Sequence, residues 1–405
     1  MPILSDYEAS RQAFTGRHWE TGTIHNAFAY QGIKAPHTGE PVSEALLLGI
    51  SGGITFGYFT FEYAGYLPHL VLLTRNTFDP MQRLLERLSV PQDILQTANP
   101  EKGEANLIDA LEGGKPALVW VDIFSLPYYD LPYDERNWAM MPVLVCGYED
   151  GEATIVDRSS RPLKVPADVL QAARGRVKKD KYRVVTLDAP DWRRLPTVVS
   201  QGIYQCVSLF TEAPPKGKRD NFGFAALQHW ANMLTNTRNK QSWARYFEPG
   251  ERMWMALVGD TTQPGAYGFI RRDAGNSAER GMYADFLNEA AVILEKPALN
   301  EAATQFRQSE AAWGELAELL LPDEAPMLRE AKTLLNRKHD LFIEQGMGGL
   351  SAIQQINVRL RELQKDAAGS FPLTGPERIA FCERLAEQVL KIHDLERDAV
   401  KCMEQ

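Results

Sequence analysis

The stretch Gly16-Arg17-His18-Trp19-Glu20-Thr21-Gly22 decides how the first part of this chain is interpreted. It stands immediately before Ile24, Ala27 and Phe28, whose three- and four-residue spacing predicts a helix over residues 20–31 with one apolar face. The first turn of a helix favours negative charge, because the helix dipole and its unpaired N–H groups are positive there. The carboxylate of Glu20 is therefore predicted at this helix N-terminus, as a structural cap or as part of a site.

A second motif follows in the same region, Ser43-Glu44-Ala45-Leu46-Leu47-Leu48-Gly49-Ile50-Ser51-Gly52-Gly53. Ser43 and Glu44 are typical of the cap and the acidic first turn of another helix. The uncharged segment from Ala45 to Phe61 contains four glycines and is shorter than the roughly 20 apolar residues of a membrane helix. We predict a short helix, a glycine turn and a buried strand over this segment, and no membrane span.

Together the two motifs resemble the start of the butirosin-biosynthesis acyltransferase family (BtrH-like), whose domain is similar to a papain-type cysteine peptidase adapted to acyl transfer. The resemblance implies transfer of an acyl group from a carrier protein to an amine, in secondary metabolism. The family has a cysteine after the His of the first motif, where this chain has Trp19. An indole donates a hydrogen bond but is not a nucleophile. The resemblance therefore implies the fold while the thiol of the family is missing.

Papain-like chemistry also needs an imidazole that accepts the thiol proton and a group that orients this imidazole. By the resemblance, the imidazole opens the strand that continues into Gly147-Tyr148, where this chain has Met141 or, by a shift of one residue, Pro142. The third member ends the next strand, where Asp157 stands. We therefore expect a degenerate triad, with Trp19 in contact with Met141 or its strand neighbours and Asp157 nearby.

Carboxylates are the remaining candidates for catalysis. Asp122 ends an apolar strand and leads into the Tyr/Pro loop of residues 125–133, which is typical of a loop anchor or of a cleft wall. If Glu20, Asp122 and Asp157 share one poorly solvated cleft, repulsion and burial raise at least one of their pKa values, and the site prefers an amine. The pocket is predicted to contain His18, Trp19, Glu20, Thr21, Glu44, Asp122, Tyr128, Met141 and Asp157.

Several other kinds of site are not expected. His18 and His25 rise by roughly 10 Å along a helix, which is too far for two ligands of one ion at bonds of ~2 Å, so no metal is predicted. The segment 49–53 lacks the Gly-Lys-Ser/Thr of a phosphate loop, and no cofactor is expected. The formal net charge of -9 argues against a nucleic-acid partner. The basic run of residues 174–183 is interpreted as a solvated face or a domain junction, with an anionic-ligand site as the alternative.

The second half of the chain reads as helical, because apolar residues recur at three- and four-residue intervals after Asn221. With Asn221-Phe222-Gly223 and the segment Met282–Ala291, it resembles the helical domain of unknown function that commonly follows the BtrH-like domain. We therefore predict an α+β chain: a papain-like domain over residues 1–187, lacking the usual Cys and His, and an α-helical domain over residues 188–405. The amphipathic helices favour a homodimer.

The sequence leaves three classes of function open. The first is a small-molecule-binding pseudoenzyme whose ligand is an amine or an acyl compound, with an acyl-carrier protein as a candidate partner. The second is an amide-forming or acyl-transfer enzyme that uses Glu20, Asp122 and Asp157, and the third is a structural partner in a biosynthetic complex. The four scattered cysteines and the absence of a signal-like pattern in residues 1–8 predict a cytoplasmic protein with free thiols.

Overall fold

The computed structural model describes residues 14–176, 178–271 and 277–404. The contacts within the chain divide it into two compact units. The first unit comprises Met1–Leu47, Met81–Leu195 and Lys338–Gln355. The second unit comprises Leu48–Pro80, Pro196–Arg337 and Ile356–Gln405. Each unit is thus assembled from segments that are distant in the sequence.

The described residues form strands and helices with the following bounds. The strands are β1 (Ile54–Phe61), β2 (His69–Arg75), β3 (Gln92–Leu95), β4 (Ala117–Asp122), β5 (Met140–Glu149), β6 (Glu152–Val156), β7 (Leu163–Pro166) and β8 (Val184–Leu187). The helices of the first half are α1 (Thr21–Tyr30), α2 (Glu44–Ile50), α3 (Pro80–Arg87), α4 (Pro100–Glu112) and α5 (Ala167–Arg176). Those of the second half are α6 (Leu195–Thr211), α7 (Gly223–Thr235), α8 (Trp243–Tyr246), α9 (Glu251–Leu257), α10 (Ala266–Arg271), α11 (Arg280–Ile293), α12 (Ala298–Leu320), α13 (Pro326–Gln345), α14 (Leu350–Gly369) and α15 (Gly375–Met403).

The first unit contains an antiparallel sheet of six strands in the order β3-β8-β4-β5-β6-β7. Val119, Val143 and Ile155 from its central strands share one buried core with Leu107 of α4 and Leu170 of α5. Strands β5 and β6 are consecutive and antiparallel and form a hairpin. Because β4 ends at Asp122 and β6 ends just before residue 157, the sheet places both candidate carboxylates at strand ends.

The second unit contains the two-stranded antiparallel sheet of β1 and β2 and most of the long helices. Helix α12 packs against α11 and against α15, the last helix, and α7 also packs against α15. The ring of Phe56 lies 5.6 Å from the rings of both Trp230 and Trp313. Large aromatic side chains supply much of the buried apolar area of such a core.

The predicted path of residues 45–61 is confirmed. Ser43 caps α2 by accepting a hydrogen bond on Oγ from the backbone N–H of Leu46 at 2.9 Å. Gly52 and Gly53 then turn the chain with φ values of 110° and 70°, which only glycine adopts readily. Strand β1 follows directly, so the sequence pattern of cap, turn glycines and apolar run was sufficient to place these elements.

The mixed helix-and-sheet class is confirmed, whereas the papain-like topology remains a prediction. The boundary between residues 187 and 188 also stays a prediction, because units defined by contacts do not report which parts fold independently. No helix within the described ranges has the length and apolar character to cross a membrane. The prediction for residues 1–8 lies outside the described residues.

Candidate functional site

The loop before α1 is held by the buried carboxylate of Glu44, the first residue of α2. Its Oε2 accepts a hydrogen bond from the backbone N–H of Arg17 at 2.7 Å. Its Oε1 accepts from the N–H of His18 at 3.2 Å and from the hydroxyl of Thr21 at 2.9 Å. The two N–H groups belong to the loop before α1, and the hydroxyl belongs to the first residue of α1. Glu44 and Thr21, both predicted pocket residues, therefore fix the backbone that carries Trp19.

Two glycines allow this loop to fold tightly over the start of α1. A Cβ atom on Gly16 would lie 2.2 Å from the carbonyl oxygen of Gly22, and one on Gly22 would lie 2.7 Å from the backbone nitrogen of Arg17. Both distances are far inside van der Waals contact, so a larger residue does not fit without moving the backbone. The glycines of the opening motif thus serve close backbone packing.

Arg17 ties the loop to the segment that follows β6. Its guanidinium donates hydrogen bonds to the carbonyl oxygen of Arg158 at 3.1 Å and to Oγ of Ser160 at 2.7 Å. From α1, the Asn26 side-chain amide donates to the carbonyl oxygen of Asp157 at 3.4 Å. The helix N-terminus and the end of β6 are therefore joined directly, although they are far apart in the sequence.

Trp19, Tyr129 and Asp157 form a chain of hydrogen bonds. The indole N–H of Trp19 donates to Oη of Tyr129 at 3.1 Å, and the Tyr129 hydroxyl donates to Oδ2 of Asp157. The Tyr128 hydroxyl donates to the same oxygen at 3.3 Å, and Oδ1 accepts from the N–H of Arg158 at 2.7 Å. The structure thus brings together three predicted site residues: Trp19, Tyr128 and Asp157.

Arg158 and Phe342 complete this group. The guanidinium carbon of Arg158 lies 3.8 Å from the centre of the Trp19 ring, a favourable cation–π arrangement. The Phe342 ring lies 5.8 Å from the Tyr129 ring. Four members of the group are half-buried, whereas Tyr128 and Asp157 are buried. We refer to Trp19, Tyr128, Tyr129, Asp157, Arg158 and Phe342 as the Trp19 cluster.

The chemistry available to this cluster is limited. Burial raises the pKa of Tyr128 and of Tyr129 above the usual value of 10, and the nearby charge of Asp157 raises it further. Both hydroxyls stay protonated at neutral pH and act as donors. The Asp157 carboxylate accepts from both, accepts from a backbone N–H, and lies 3.8 Å from Nε of Arg158. Because its oxygens are engaged, this carboxylate is poorly placed to take a proton from a substrate.

Asp122 is held by a separate set of partners. Its Oδ2 lies 3.2 Å from Nε of Arg176 and accepts from the hydroxyl of Ser125 at 2.9 Å. Its Oδ1 accepts from the backbone N–H of Ala139 at 3.0 Å. None of these partners is shared with Asp157, so the structure does not join the two carboxylates in one network.

The first arginine of the basic run of residues 174–183 is not exposed to solvent. Arg174 is fully buried and donates to the carbonyl oxygens of Gly103 at 3.1 Å and Tyr182 at 3.2 Å. Burial lowers the pKa of Arg174 to about 10. The interpretation as a solvated face is therefore wrong for this residue, because its buried guanidinium donates to backbone carbonyl groups that no sequence pattern reveals.

Met141 lies near the helix that carries Trp19. It is half-buried and pairs with Val121 across β5 and β4. The hydroxyl of Thr23 in α1 is within hydrogen-bond distance of the carbonyl oxygens of Trp19 and of Pro142, at 3.4 Å for the second. The strand position expected to replace the histidine is therefore one residue from a direct contact with α1.

His18 and Glu20 flank Trp19 and are half-buried. The N–H of Glu20 donates to Nδ1 of His18 at 3.2 Å, and the His18 ring meets the Trp19 ring edge-on with centres 6.3 Å apart. Glu20 stands just before the first residue of α1, but its side chain makes no capping hydrogen bond, so the structural cap that the sequence offered is not formed. Within the described residues, no cluster of three or more His, Cys, Asp or Glu side chains is arranged to hold a metal ion.

The arginine partners of Asp122 and Asp157 affect the prediction that the site binds an amine. Asp122 and Asp157 each have an arginine nitrogen within 4 Å, at 3.2 Å and 3.8 Å. A nearby cation offsets the attraction that a carboxylate exerts on an amine. The electrostatic reason for expecting a cationic ligand therefore disappears at these two carboxylates.

None of the four cysteines is placed as an activated nucleophile. Cys146, Cys206 and Cys382 are buried and Cys402 is half-buried. Burial raises the pKa of all four thiols, to about 12 for Cys206 and to about 11 for Cys382. The thiolate is the reactive form, and it is scarce at neutral pH under these conditions.

Sequence reasoning missed three members of the Trp19 cluster. Tyr129 and Arg158 are direct sequence neighbours of the predicted Tyr128 and Asp157. This adjacency was the one sequence feature that could have identified them. Phe342 has no local signal, because it belongs to a helix that is distant in the sequence.

The family comparison agrees with the opening motif. Residues 18–158 match the family described as "Butirosin biosynthesis protein H, N-terminal", which confirms the resemblance predicted for the first part of the chain. The match begins at His18 and ends at Arg158, so it includes Trp19, Met141 and Asp157. No match was found among curated proteins.

Proposed function

We propose that residues 1–187 form a papain-like domain of the BtrH-like type that binds an acyl-bearing small molecule without thiol catalysis. The matched description supports a role in biosynthesis, and the resemblance implies acyl groups as the chemistry of this fold. A carrier protein that presents the acyl group is part of the proposal.

The observation that carries the proposal is the hydrogen bond from Trp19 to Tyr129 at the N-terminus of α1. This is the position at which the family resemblance expects a thiol. The indole is engaged with Tyr129 on its edge and with Arg158 on its face. A side chain that is fixed in this way serves recognition or packing, because it has no group that attacks a carbonyl carbon.

The partial exposure of the cluster supports binding. Trp19, Tyr129, Arg158 and Phe342 are half-buried, so each keeps some surface in reach of a ligand. Aromatic rings with a few polar groups are typical of small-molecule sites. Because arginines accompany Asp122 and Asp157, an acyl group fits this surface better than a free amine does.

Enzymatic use of the carboxylates is the second candidate function. The contacts of Asp157 and Asp122 disfavour both as proton acceptors, which leaves Glu20 at the start of α1. The third candidate is a structural role in a complex, and it predicts no binding of a small acyl compound.

The test uses a short-chain acyl-pantetheine thioester as the probe. We expect titration calorimetry to show binding, and a colorimetric thiol assay to show no enzyme-dependent release of pantetheine. Treatment with N-ethylmaleimide is expected to leave binding unchanged. Thiol release that maleimide abolishes would overturn the proposal, and so would the absence of binding.

Trp19→Phe locates the site, because it keeps a ring and removes the indole N–H. We expect weaker binding by roughly fivefold, which corresponds to about one hydrogen bond. Trp138→Phe is the matched control, since Trp138 lies in the same unit and is 52% exposed. Equal effects of the two substitutions would contradict binding at the Trp19 cluster.

A further inference from the structure

A cavity of about 390 Å³ lies within the second unit. It is bounded by the end of α6, the start of α7 and the end of α15. This volume is within the range of small-molecule sites, which measure roughly 300–1,000 Å³. The residues around the cavity are separate from the Trp19 cluster, and the proposed function does not use them.

One wall of the cavity is apolar and aromatic. It is formed by Phe210, Phe222, Phe224 and Val400. The rings of Phe210 and Phe224 pack with centres 5.0 Å apart. Such a wall favours an apolar body by removing its surface from water, at roughly 25 cal/mol for each Å² buried.

The motif Asn221-Phe222-Gly223 holds this wall in place. The side-chain amide of Asn221 donates to the carbonyl oxygen of Tyr58 at 2.7 Å. Gly223 has a φ of 59°, and a Cβ atom there would lie 2.5 Å from the carbonyl oxygen of Phe210. The backbone on both sides of Phe222 is therefore fixed, and the wall is formed before any ligand arrives.

The rim of the cavity carries more positive than negative side chains. The cations are Arg219, Arg397 and Lys401, and the carboxylates are Glu212 and Glu404. The carboxylate of Glu212 is engaged by the hydroxyl of Ser208 at 2.8 Å. Asp394 and Asp398, which do not line the cavity, pair with Arg397 and Lys401.

Arg219 is the rim cation best placed to take an anion, because carboxylates already pair with the other two. Arg219 is exposed and has no ion-pair partner among the described residues. Arg397 pairs with Asp394 through Nη1 at 2.9 Å, and its buried Nε, which has no hydrogen-bond acceptor in the described part of the chain, lies 3.6 Å from Oδ1 of Asp398. A guanidinium presents several N–H donors that match a carboxylate.

We propose that this cavity binds a monocarboxylate with an apolar body, such as a medium-chain or aryl-alkyl carboxylic acid. The body packs on Phe222 and Phe224, and the carboxylate lies at the rim near Arg219 and Arg397. The site is a second binding site of the chain and makes no use of Trp19.

The experiment titrates octanoate into the full chain and compares it with octanol, which has the same apolar body without the charge. Ala225→Trp places an indole at the half-buried cavity residue Ala225. It is expected to weaken octanoate binding at least about tenfold, because the body loses its space. Arg219→Gln is expected to weaken octanoate about two- to fivefold, the range of an exposed ion pair, and to leave octanol unchanged.

Arg238→Gln is the matched control, because Arg238 is exposed in the same unit and does not line the cavity. Circular dichroism of each variant checks that the fold is kept. Absence of octanoate binding to the unmodified chain would overturn the proposal. So would octanoate binding that Ala225→Trp leaves intact, or an equal loss in Arg219→Gln and Arg238→Gln. The acyl-pantetheine titration reports on Trp19 separately, so failure at one site is distinguishable from failure at the other.

Discussion

Each unit of this chain contains an arginine that lies over a tryptophan ring and pairs with a carboxylate. In the second unit, Arg280 binds Glu396 through two hydrogen bonds, Nε–Oε1 at 2.7 Å and Nη2–Oε2 at 3.0 Å, and its guanidinium carbon lies 5.1 Å from the Trp313 ring centre. The indole N–H of Trp313 and the hydroxyl of Ser309 also donate to Glu396, at 2.7 and 2.9 Å. We refer to these four residues as the Glu396 cluster. The Trp19 cluster uses the same kinds of group.

The two clusters differ in burial. All four residues of the Glu396 cluster are completely buried, whereas Trp19 and Arg158 are half-buried. A buried ion pair that is fully hydrogen-bonded holds its surroundings in one arrangement, since breaking it leaves a charge in a medium of low dielectric. The same chemistry with one side toward solvent keeps surface for a ligand. Burial therefore separates a structural cluster from a candidate site.

Backbone strain lies beside the Glu396 cluster. Ser277, Ala278 and Glu279 have φ values of 50°, 56° and 65°, although none is glycine. Each such residue costs on the order of 1 kcal/mol. Arg280 donates to the carbonyl oxygen of Ala278 at 2.8 Å, and Glu279 pairs with Arg75 at 2.6 Å. These buried contacts oppose the strain and hold the turn that leads into α11.

The largest expected effect concerns Glu396. Glu396→Leu leaves the Arg280 guanidinium buried without its carboxylate, and we expect the free energy of unfolding to fall by about 3–5 kcal/mol. Urea unfolding followed by circular dichroism measures this change. The double variant Glu396→Leu/Arg280→Met is the control and is expected to lose less, because no buried charge remains. A double variant no more stable than the single variant would contradict the interpretation that the unpaired charge of Arg280 causes the loss.

A smaller effect is expected for Asp157. Asp157→Ala leaves the hydroxyls of Tyr128 and Tyr129 without their acceptor, which costs about 1–3 kcal/mol. Asp157→Asn keeps a carbonyl oxygen and is expected to cost less than Asp157→Ala in the same urea unfolding assay. If Asp157→Ala destabilised the chain as much as Glu396→Leu, burial would not separate the structural Glu396 cluster from the candidate site at the Trp19 cluster.

Glu44 adds a third carboxylate to the comparison of the Glu396 and Trp19 clusters. It is buried, and it holds the loop before α1 rather than a ligand. Glu44→Ala removes the acceptor of two backbone N–H groups and of the Thr21 hydroxyl. We expect a loss of about 1–2 kcal/mol, because these donors lose a buried acceptor. Glu44→Gln keeps one side-chain oxygen and serves as the control in chemical denaturation. An unfolding midpoint of Glu44→Ala equal to that of the unmodified chain would contradict this role.

The smallest effect is a pH dependence at His25. Its Nδ1–H donates to the carbonyl oxygen of Val42 at 2.7 Å, its Nε2 lies 2.7 Å from Oγ1 of Thr15, and burial lowers its pKa below the usual 6.5. Attraction to Glu44 opposes this shift in part. The unfolded chain therefore binds the proton more readily. Stability from His25 is complete above pH 6.5 and falls as the pH falls toward the lower folded-state pKa, by at most about 1.4 kcal/mol for each pH unit.

Unfolding free energies measured between pH 8 and pH 5 test this expectation. His25→Gln removes the titrating ring, and its curve is expected to be flatter than that of the unmodified chain over the same range. Parallel curves would show that His25 does not contribute to the pH dependence.

The elements that the sequence predicted best have a complete local pattern. The helices α1 and α15 and the strand β4 show an uninterrupted apolar repeat and clear ends, so their positions follow from the chain alone. The strands β3 and β7 have four residues each and were missed. A strand that short owes its existence to the neighbouring strands it pairs with, and no local pattern records such a partner.

The candidate site shows the same division. The motif of residues 16–22 placed Trp19 before a helix and excluded a thiol there, because side-chain chemistry and helix periodicity are properties of the local sequence. The tertiary structure decided that Trp19 binds Tyr129, that Arg158 covers its ring, and that Asp122 and Asp157 have separate partners. These contacts join residues that are distant in the chain, and burial, which sets their energies and pKa values, exists only after the segments have packed together.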